Sequence, residues 1–362
     1  MLRLARHLML AAALASGSRA TAQAPVGATV TGTVRERLND VALPLATVSL
    51  DGTDHVVFTR GGGAFAMAGV SPGPHTLRVR QIGFAPATLR VTVPDSGTAD
   101  AGVTRLERLA VSLASIEVRA QPSECVGTGL SDPGADSMAT LLLARLADES
   151  DRQRAFAATY PGMLGVIRTR EQLDDQAAVM SARSDTVVYS FVDLRPYHVG
   201  AVTRKTSFNH YAIQLPTAAQ ISSAEFVAHH CARYTGTRTV DGVTLAVLEI
   251  SPTTDVHQPD VAGAVLLTPE GALRRTEFRL TDTGHLGFAL GGGVESLSVT
   301  NVYRPILGGR MSLLASVLML QQTRTPYVVG HRRAGFRDHL RAFAIRYTGA
   351  RPEADTATVT PR

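Results

Sequence analysis

Tryptophan is absent from the sequence, lysine occurs only at Lys205, and aromatic residues make up just 5% of the 362 residues. Sugar-binding sites usually rely on exposed aromatic rings, so this composition weighs against a carbohydrate-binding surface. The net charge of +5 comes from arginines that are scattered rather than clustered. Without a basic run interleaved with aromatic residues, we expect no nucleic-acid partner.

Long apolar runs are missing as well. The run from Leu8 to Ala15 is far shorter than the roughly 20 residues that span a bilayer. It follows two arginines and precedes Ala20-Thr21-Ala22, the small-x-small pattern that signal peptidase reads. We predict a signal peptide over residues 1–22, cleaved between Ala22 and Gln23, and no transmembrane segment in the mature chain. No cysteine lies near this site, so we expect an exported protein of the periplasm or outer membrane without a lipid anchor.

Short alternating strands fill the first part of the predicted mature chain. Apolar and polar residues alternate over Val26–Val34, Ala46–Leu50, Leu77–Ile82 and Leu89–Val93. Gly, Pro, Asn and Asp separate these stretches, which is typical of a small β-sandwich. We place this domain at residues 23–98, so that it ends just after the Pro-Asp-Ser-Gly turn at residues 94–97.

Several motifs in this region resemble the carboxypeptidase regulatory-like domain. In chain order they are Val30 to Val34, Leu43 to Val48, Thr59 to Phe65, Gly69 to Leu77 and Ile82 to Phe84. The resemblance covers about residues 27–95 and implies a transthyretin-like sandwich, which some schemes group with carbohydrate-binding-like folds. Domains of this family act as accessory modules on outer-membrane transporters and secreted hydrolases.

The composition of the rest of the chain indicates a linker, a second structured region and a polar tail. Residues 99–134 are predicted to form a connector and linker, because their second half is rich in Gly, Pro, Ser and Asp. Residues 135–348 carry a helix that starts near Asp136, then strand-like character from Phe156 to Ile167 and further alternating strands. A short helix is expected over Phe226–Tyr234, and the polar tail 349–362 is expected to be disordered.

This second region resembles the poorly characterised C-terminal part of exported proteins that carry the same N-terminal domain. The similar segments are His230-Cys231-Ala232, Pro259 to Leu267 and Leu273 to Phe278. The resemblance implies the half-barrel sheet of periplasmic lipoprotein carriers, whose open face either holds a hydrophobic ligand or is filled by the protein's own helix. The predicted fold class is therefore mainly β: a transthyretin-like sandwich followed by a curved antiparallel sheet with one or two helices.

Cys125 and Cys231 are the only cysteines. An even number of cysteines in an exported protein indicates a disulfide, and we predict a bridge between these two residues. The alternative is two separate buried thiols, since free cysteine is among the most buried residue types.

Three segments contain side chains of the types found in catalytic or metal-binding sites. Gly69-Val70-Ser71-Pro72-Gly73 matches the nucleophile elbow of hydrolases, but that motif needs a following helix. A strand follows here, so we interpret the motif as a hairpin turn. His229-His230-Cys231 combines metal-binding residue types, yet adjacent side chains point in different directions and zinc-enzyme spacing is missing. His257 and Asp260 lie in a Pro-flanked stretch interpreted as a solvated loop. We expect no catalytic residue, metal or cofactor.

Three functional hypotheses remain. The first is a non-catalytic binding or adaptor protein of the cell envelope, accessory to outer-membrane transport or holding a lipid or lipoprotein segment. Its partner would be an envelope protein, a lipid or a glycan. The second is a carbohydrate-binding protein, and the third is an unrecognised hydrolase whose carboxylates meet only in the folded chain.

Elemental analysis should show substoichiometric zinc and other transition metals in protein purified without a metal-binding tag, because the ligand spacing for such ions is missing. One metal equivalent that survives chelation would contradict this prediction. It would also make His229, His230 and Cys231 candidate ligands.

Overall fold

The structure is a computed structural model. It describes residues 27–53, 55–108, 125, 137–174, 176–190, 197–200, 202–207, 210–283, 294–307, 311–324 and 333–348. The predicted signal peptide with its cleavage site, most of the linker and the polar tail lie outside the described residues. Within the described part, no helix combines the length and the apolar character needed to cross a membrane.

A β-sandwich forms the first domain, as predicted. Its strands are β1 (Ala28–Glu36), β2 (Thr47–Leu50), β3 (Val56–Phe58), β4 (Ala64–Val70), β5 (Gly73–Arg80), β6 (Ala87–Val93) and β7 (Thr98–Leu106). One sheet has the order β4-β1-β7 and the other β3-β2-β5-β6. Every second residue of β1 is buried, because successive side chains of a strand point to opposite faces. The buried residues of both sheets form one apolar core.

The sandwich continues beyond the predicted boundary at residue 98. Strand β7 pairs in parallel with β1 and buries Ala99 and Leu106. Residues 94–97 therefore form the turn into a seventh strand, and the prediction that the domain ends there was wrong. The apolar pattern missed β7 because only these two of its nine residues are buried.

The second domain begins with α1 (Ser137–Thr159) and is otherwise mainly strands. The elements that follow are β8 (Gly162–Leu173), β9 (Val179–Ser190), β10 (Thr203–Ser207), β11 (His210–Ile213), α2 (Ala218–Ile221), α3 (Ala224–Ala228), β12 (His230–Val240), β13 (Val243–Pro252), β14 (Val261–Leu267), β15 (Leu273–Leu280), β16 (Val294–Ile306), β17 (Met311–Arg324) and β18 (Arg333–Tyr347). Nine strands form one open antiparallel sheet in the order β12-β13-β14-β15-β16-β17-β18-β8-β9, and β10 pairs with β11. This sheet confirms the predicted fold class.

The helices pack on one face of the nine-stranded sheet, which we call the inner face; the opposite face is the outer face. Leu142, Leu143 and Leu146 of α1 are buried in one core with residues of β12 to β16. Val317 and Met319 of β17 pack against the same core. Because side chains alternate along a strand, the odd-numbered residues of central β17 between residues 316 and 324 face inward and the even-numbered residues there face outward.

Two predicted segments differ from the structure. Phe156 to Ile167 is not strand throughout, because α1 runs to Thr159 and β8 starts only at Gly162. The end of this helix buries Glu149 and Arg152, and these charges hid its buried face from the apolar pattern. The helix predicted over 226–234 is also shorter, since α3 ends at 228 and β12 starts at 230.

Helix α1 also joins the two domains. The guanidinium of Arg80 in β5 is only 11% exposed and lies 2.6 Å from Asp148 and 2.7 Å from Asp151 of the helix. One turn further along α1, Phe156 belongs to a small apolar core against which Phe58 of β3 packs. The sandwich therefore contacts the helix through a paired charge and an aromatic side chain.

A disulfide connects Cys125 with Cys231, at a Cα–Cα distance of 5.9 Å. Cys125 is buried, and its carbonyl oxygen accepts a hydrogen bond from the backbone N–H of Thr254. Cys231 is the second residue of β12, an edge strand of the sheet. The bridge attaches residue 125 to this edge and closes a loop with a sequence separation of 106.

A fragment of residues 27–108 should melt cooperatively, whereas a fragment of residues 27–96 should not. The shorter fragment lacks β7, and losing the buried Leu106 side chain alone costs about 2–5 kcal/mol. Circular dichroism during thermal unfolding compares the two fragments. Equal melting midpoints would show that β7 is not part of the cooperative unit.

The disulfide should protect both cysteines from alkylation under denaturing conditions until a reductant is added. Replacing both residues with serine should lower the free energy of unfolding by about 4–5 kcal/mol, because a loop of this length constrains the unfolded chain. Mass spectrometry and urea unfolding measure the two effects. Labelling of both thiols without reductant would mean that no bridge forms.

Candidate functional site

Strands β17, β18 and β8 place a mixed apolar and charged patch on the inner face, beside the helices. Met319 lies opposite Asp338, which in turn lies opposite Arg170. In the neighbouring row, Gln321 lies opposite Phe336. These five residues line a depression of about 160 Å³, and we call them the inner patch.

A bidentate ion pair fixes the polar part of the inner patch. Arg170 donates from Nε to Oδ1 of Asp338 over 2.7 Å, and from Nη2 to the other carboxylate oxygen. The Asp338 side chain is 4% exposed, while that of Arg170 is 54% exposed. Hydrogen bonding to Asp338 raises the pKa of Arg170. The carboxylate is therefore occupied by its partner, and the cation covers it and meets solvent.

The apolar part of the inner patch is Phe336, which is 37% exposed. The guanidinium carbon of Arg170 lies 6.0 Å from the centre of its ring. A cation beside a partly exposed aromatic ring suits an amphipathic group with an apolar portion and a negative charge. No serine, cysteine or histidine lines this depression, so its described lining offers binding contacts rather than a nucleophile.

A second ion pair continues the charged row towards the edge strand. Arg168 donates from Nε to Asp185 over 3.0 Å and also pairs through Nη2. Hydrogen bonding to Arg168 lowers the pKa of Asp185. Sequence reasoning missed these residues, although Arg168 and Arg170 stand at a period of two in a strand whose first half is apolar. That spacing places both cations on one face and was the available signal.

A larger depression of about 660 Å³ lies between the sandwich and α1. Its arginines are paired with aspartates: Arg78 lies 3.5 Å from Asp51, and Arg154 contacts Asp151. Its described lining contains no aromatic residue. It therefore lacks the flat apolar surface on which a sugar ring would stack.

The three adjacent residues at 229–231 have separate environments. His230 is buried, and its ring stacks on Phe226 with the ring centres 3.7 Å apart. His229 is partly exposed and lies 4.0 Å from Asp255, while Cys231 is in the disulfide. Among the residues that the structure describes, no group of three His, Cys, Asp or Glu side chains could hold a metal ion.

Asp260 is buried, so the prediction of a solvated loop was wrong for this residue, whereas His257 is exposed. The Asp260 carboxylate accepts hydrogen bonds from the Val261 N–H over 2.8 Å and from the Tyr197 hydroxyl over 2.5 Å. The ring of His230 lies 3.3 Å from the same carboxylate. These bonds replace the water that a buried charge would otherwise need.

The network around Asp260 is structural. Burial and the bond to Asp260 raise the pKa of the Tyr197 hydroxyl, which therefore stays protonated. Tyr197, His230 and Asp260 are each at most 3% exposed. They hold residue 197 and the starts of β12 and β14 together in the core.

Ser71 lies in a turn, as predicted, but the turn is not a hairpin. It joins β4 and β5, which belong to different sheets of the sandwich. His75 Nε2 lies 2.7 Å from the Ser71 carbonyl oxygen and 3.4 Å from its hydroxyl. The imidazole therefore donates to the carbonyl instead of accepting a proton from the hydroxyl, unlike the base of a nucleophile elbow.

Comparisons with solved structures give matches of low similarity. A LolA superfamily protein from Nitrosomonas europaea is 11% identical and matches 59% of this chain and 94% of its own, with a TM-score of 0.26. An outer membrane lipoprotein-sorting protein domain from Vibrio parahaemolyticus is 14% identical and matches 60% of this chain and 96% of its own, with a TM-score of 0.30. These low scores assign neither a ligand nor an activity.

Two further comparisons concern the whole sequence and the first domain. No curated protein matches the sequence significantly. A family model, that of the carboxypeptidase regulatory-like domain, matches residues 29–106. This range ends at the last residue of β7 and agrees with the sandwich found in the structure. Residues 29–106 are therefore a carboxypeptidase regulatory-like domain.

Proposed function

We propose that this protein is a non-catalytic binding or adaptor protein of the cell envelope, and that its inner patch holds part of a lipid or lipoprotein. The observation that carries the proposal is the contact between a partly exposed aromatic ring and an exposed guanidinium in one depression, at Phe336 and Arg170. An acyl chain would cover the ring, and a nearby phosphate or carboxylate would meet the cation.

The size of the depression limits what it can hold. Its volume of about 160 Å³ is below the roughly 300–1,000 Å³ of pockets that enclose a small ligand. We therefore propose that it takes one segment of a longer molecule, which leaves the remainder outside. Such partial contact suits a carrier or adaptor, which must release what it binds.

The state of the polar groups supports a binding role over catalysis. Asp338 is occupied by Arg170, and Asp260 is enclosed in the core with its bonds satisfied. General acids and bases need access to the substrate and a free proton site. The hydrolase hypothesis therefore has less support than binding. Carbohydrate binding ranks behind the lipid proposal because the larger depression lacks stacking surfaces.

An envelope location is part of the proposal. It rests on the signal peptide predicted over residues 1–22 and on the disulfide, which suits an oxidising compartment. The partner that delivers or receives the ligand would be another envelope protein, in keeping with the accessory role of the first domain's family.

The Phe336→Ser variant should bind a dansyl-labelled fatty acid about tenfold more weakly than the wild type, since losing about 1.4 kcal/mol of apolar contact is a factor of ten. The matched control is Leu318→Ser, which removes a 43% exposed side chain from the outer face of neighbouring β17. Titrated dansyl fluorescence measures both affinities. Equal affinities for the two variants, or no binding by the wild type, would contradict the proposal.

A further inference from the structure

Strand β9 is an exposed edge of the nine-stranded sheet. Among the described residues it pairs only with β8. Four of its apolar side chains are open to solvent: Val179 (49% exposed), Met180 (66%), Val188 (53%) and Tyr189 (41%). An edge with free backbone donors and acceptors is a template for another strand, and proteins protect such edges with charges, proline or bulges. Strand β9 contains no lysine or proline; its charges are Arg183 and Asp185, and its pairing with β8 shifts only near Met180.

Two opposite charges lie between the apolar ends of β9. Arg183 and Asp185 are two residues apart, so they share one face of the strand. Asp185 is bound by Arg168, whereas Arg183 forms no ion pair with the described residues and lies opposite Arg170 of β8. Arg183 is therefore a cation beside a like charge, at the free edge of the sheet.

We propose that β9 pairs antiparallel with β9 of a second copy of this chain, which makes one continuous sheet across a symmetric dimer. A two-fold axis perpendicular to the sheet keeps inner faces together and pairs residues of equal parity. When the axis passes beside Ser184, Arg183 lies opposite the partner's Asp185. The same register brings Met180, where β9 bulges from β8, close to the partner's Val188, so exposed apolar side chains cover each other.

The neighbouring symmetric registers are disfavoured by charge. An axis beside Arg183 places this arginine against the same residue of the second copy, and an axis beside Asp185 does the same with two carboxylates. Like charges directly opposite each other destabilise a strand pair, whereas opposite charges and apolar pairs stabilise it. Among these three registers, the charges of β9 therefore favour the one centred on Ser184.

This register extends the charged row of the inner face. The partner's Asp185 would reach Arg183, which forms no ion pair with the described residues of its own chain, and the pair would lie next to Arg170. The dimer contains two such pairs, because the two-fold axis repeats the contact with the roles of the two subunits exchanged.

A charge-swap experiment tests the dimer on the purified full chain by light scattering during gel filtration, across a concentration series. Wild-type protein should reach twice the monomer mass. Arg183→Asp and Asp185→Arg should each be monomeric, because each places like charges opposite each other. An equimolar mixture should recover the dimer, since every charged pair is then complementary. Recovery shows that the single variants had folded, and circular dichroism checks each one alone.

Engineered cysteines test the register. Ser184→Cys should form a disulfide-linked dimer under oxidation, because the two copies of this residue are neighbours across the axis. Ala182→Cys, on the same face but away from the axis, is the matched control and should remain unlinked. A wild-type monomer at all concentrations, a dimer unaffected by Arg183→Asp, or equal cross-linking at both positions would overturn the proposal.

Discussion

The burial of α1 is the constraint on which the rest of the structure depends. Its first half fills the inner face of the sheet with leucines, and its second half binds Arg80 of the sandwich through Asp148 and Asp151. Near the middle of the helix, the buried Glu149 accepts a hydrogen bond from the Ser312 N–H of β17 over 2.7 Å. Burial raises the pKa of this carboxyl group. One helix therefore sets how much of the sheet stays open and where the sandwich sits.

The position of α1 explains why the inner face is open on only one side. The core shared with the helices includes strands β12 to β16 and the near side of β17. Beyond it, the inner face of β18, β8 and β9 carries two ion pairs and two exposed rings, those of Phe336 and Tyr189. The sheet thus combines the two outcomes expected of a half-barrel: it is filled by its own helix on one side and presents a depression on the other.

The fold could be predicted in outline because burial leaves a period of two in a strand, as in β1. The prediction was wrong where polar residues occupy buried positions. Arg152 on α1 and Asp260 before β14 are buried with polar partners, so the apolar pattern gave no sign of their burial. The inner patch could not be predicted, because Arg170 and Asp338 are 168 residues apart and meet only through the pairing of β18 with β8.

That pairing also sets the order in which the chain can fold. The sandwich is complete once residue 106 is available, and domains generally fold as units, N-terminal first, during synthesis. The hairpin of β8 and β9 must instead wait for β18, the last described strand, which inserts between β17 and β8. Until then its apolar rows have no neighbour, and such non-local pairing is slow. The nine-stranded sheet can therefore be completed only after the last described strand of the chain has been synthesised.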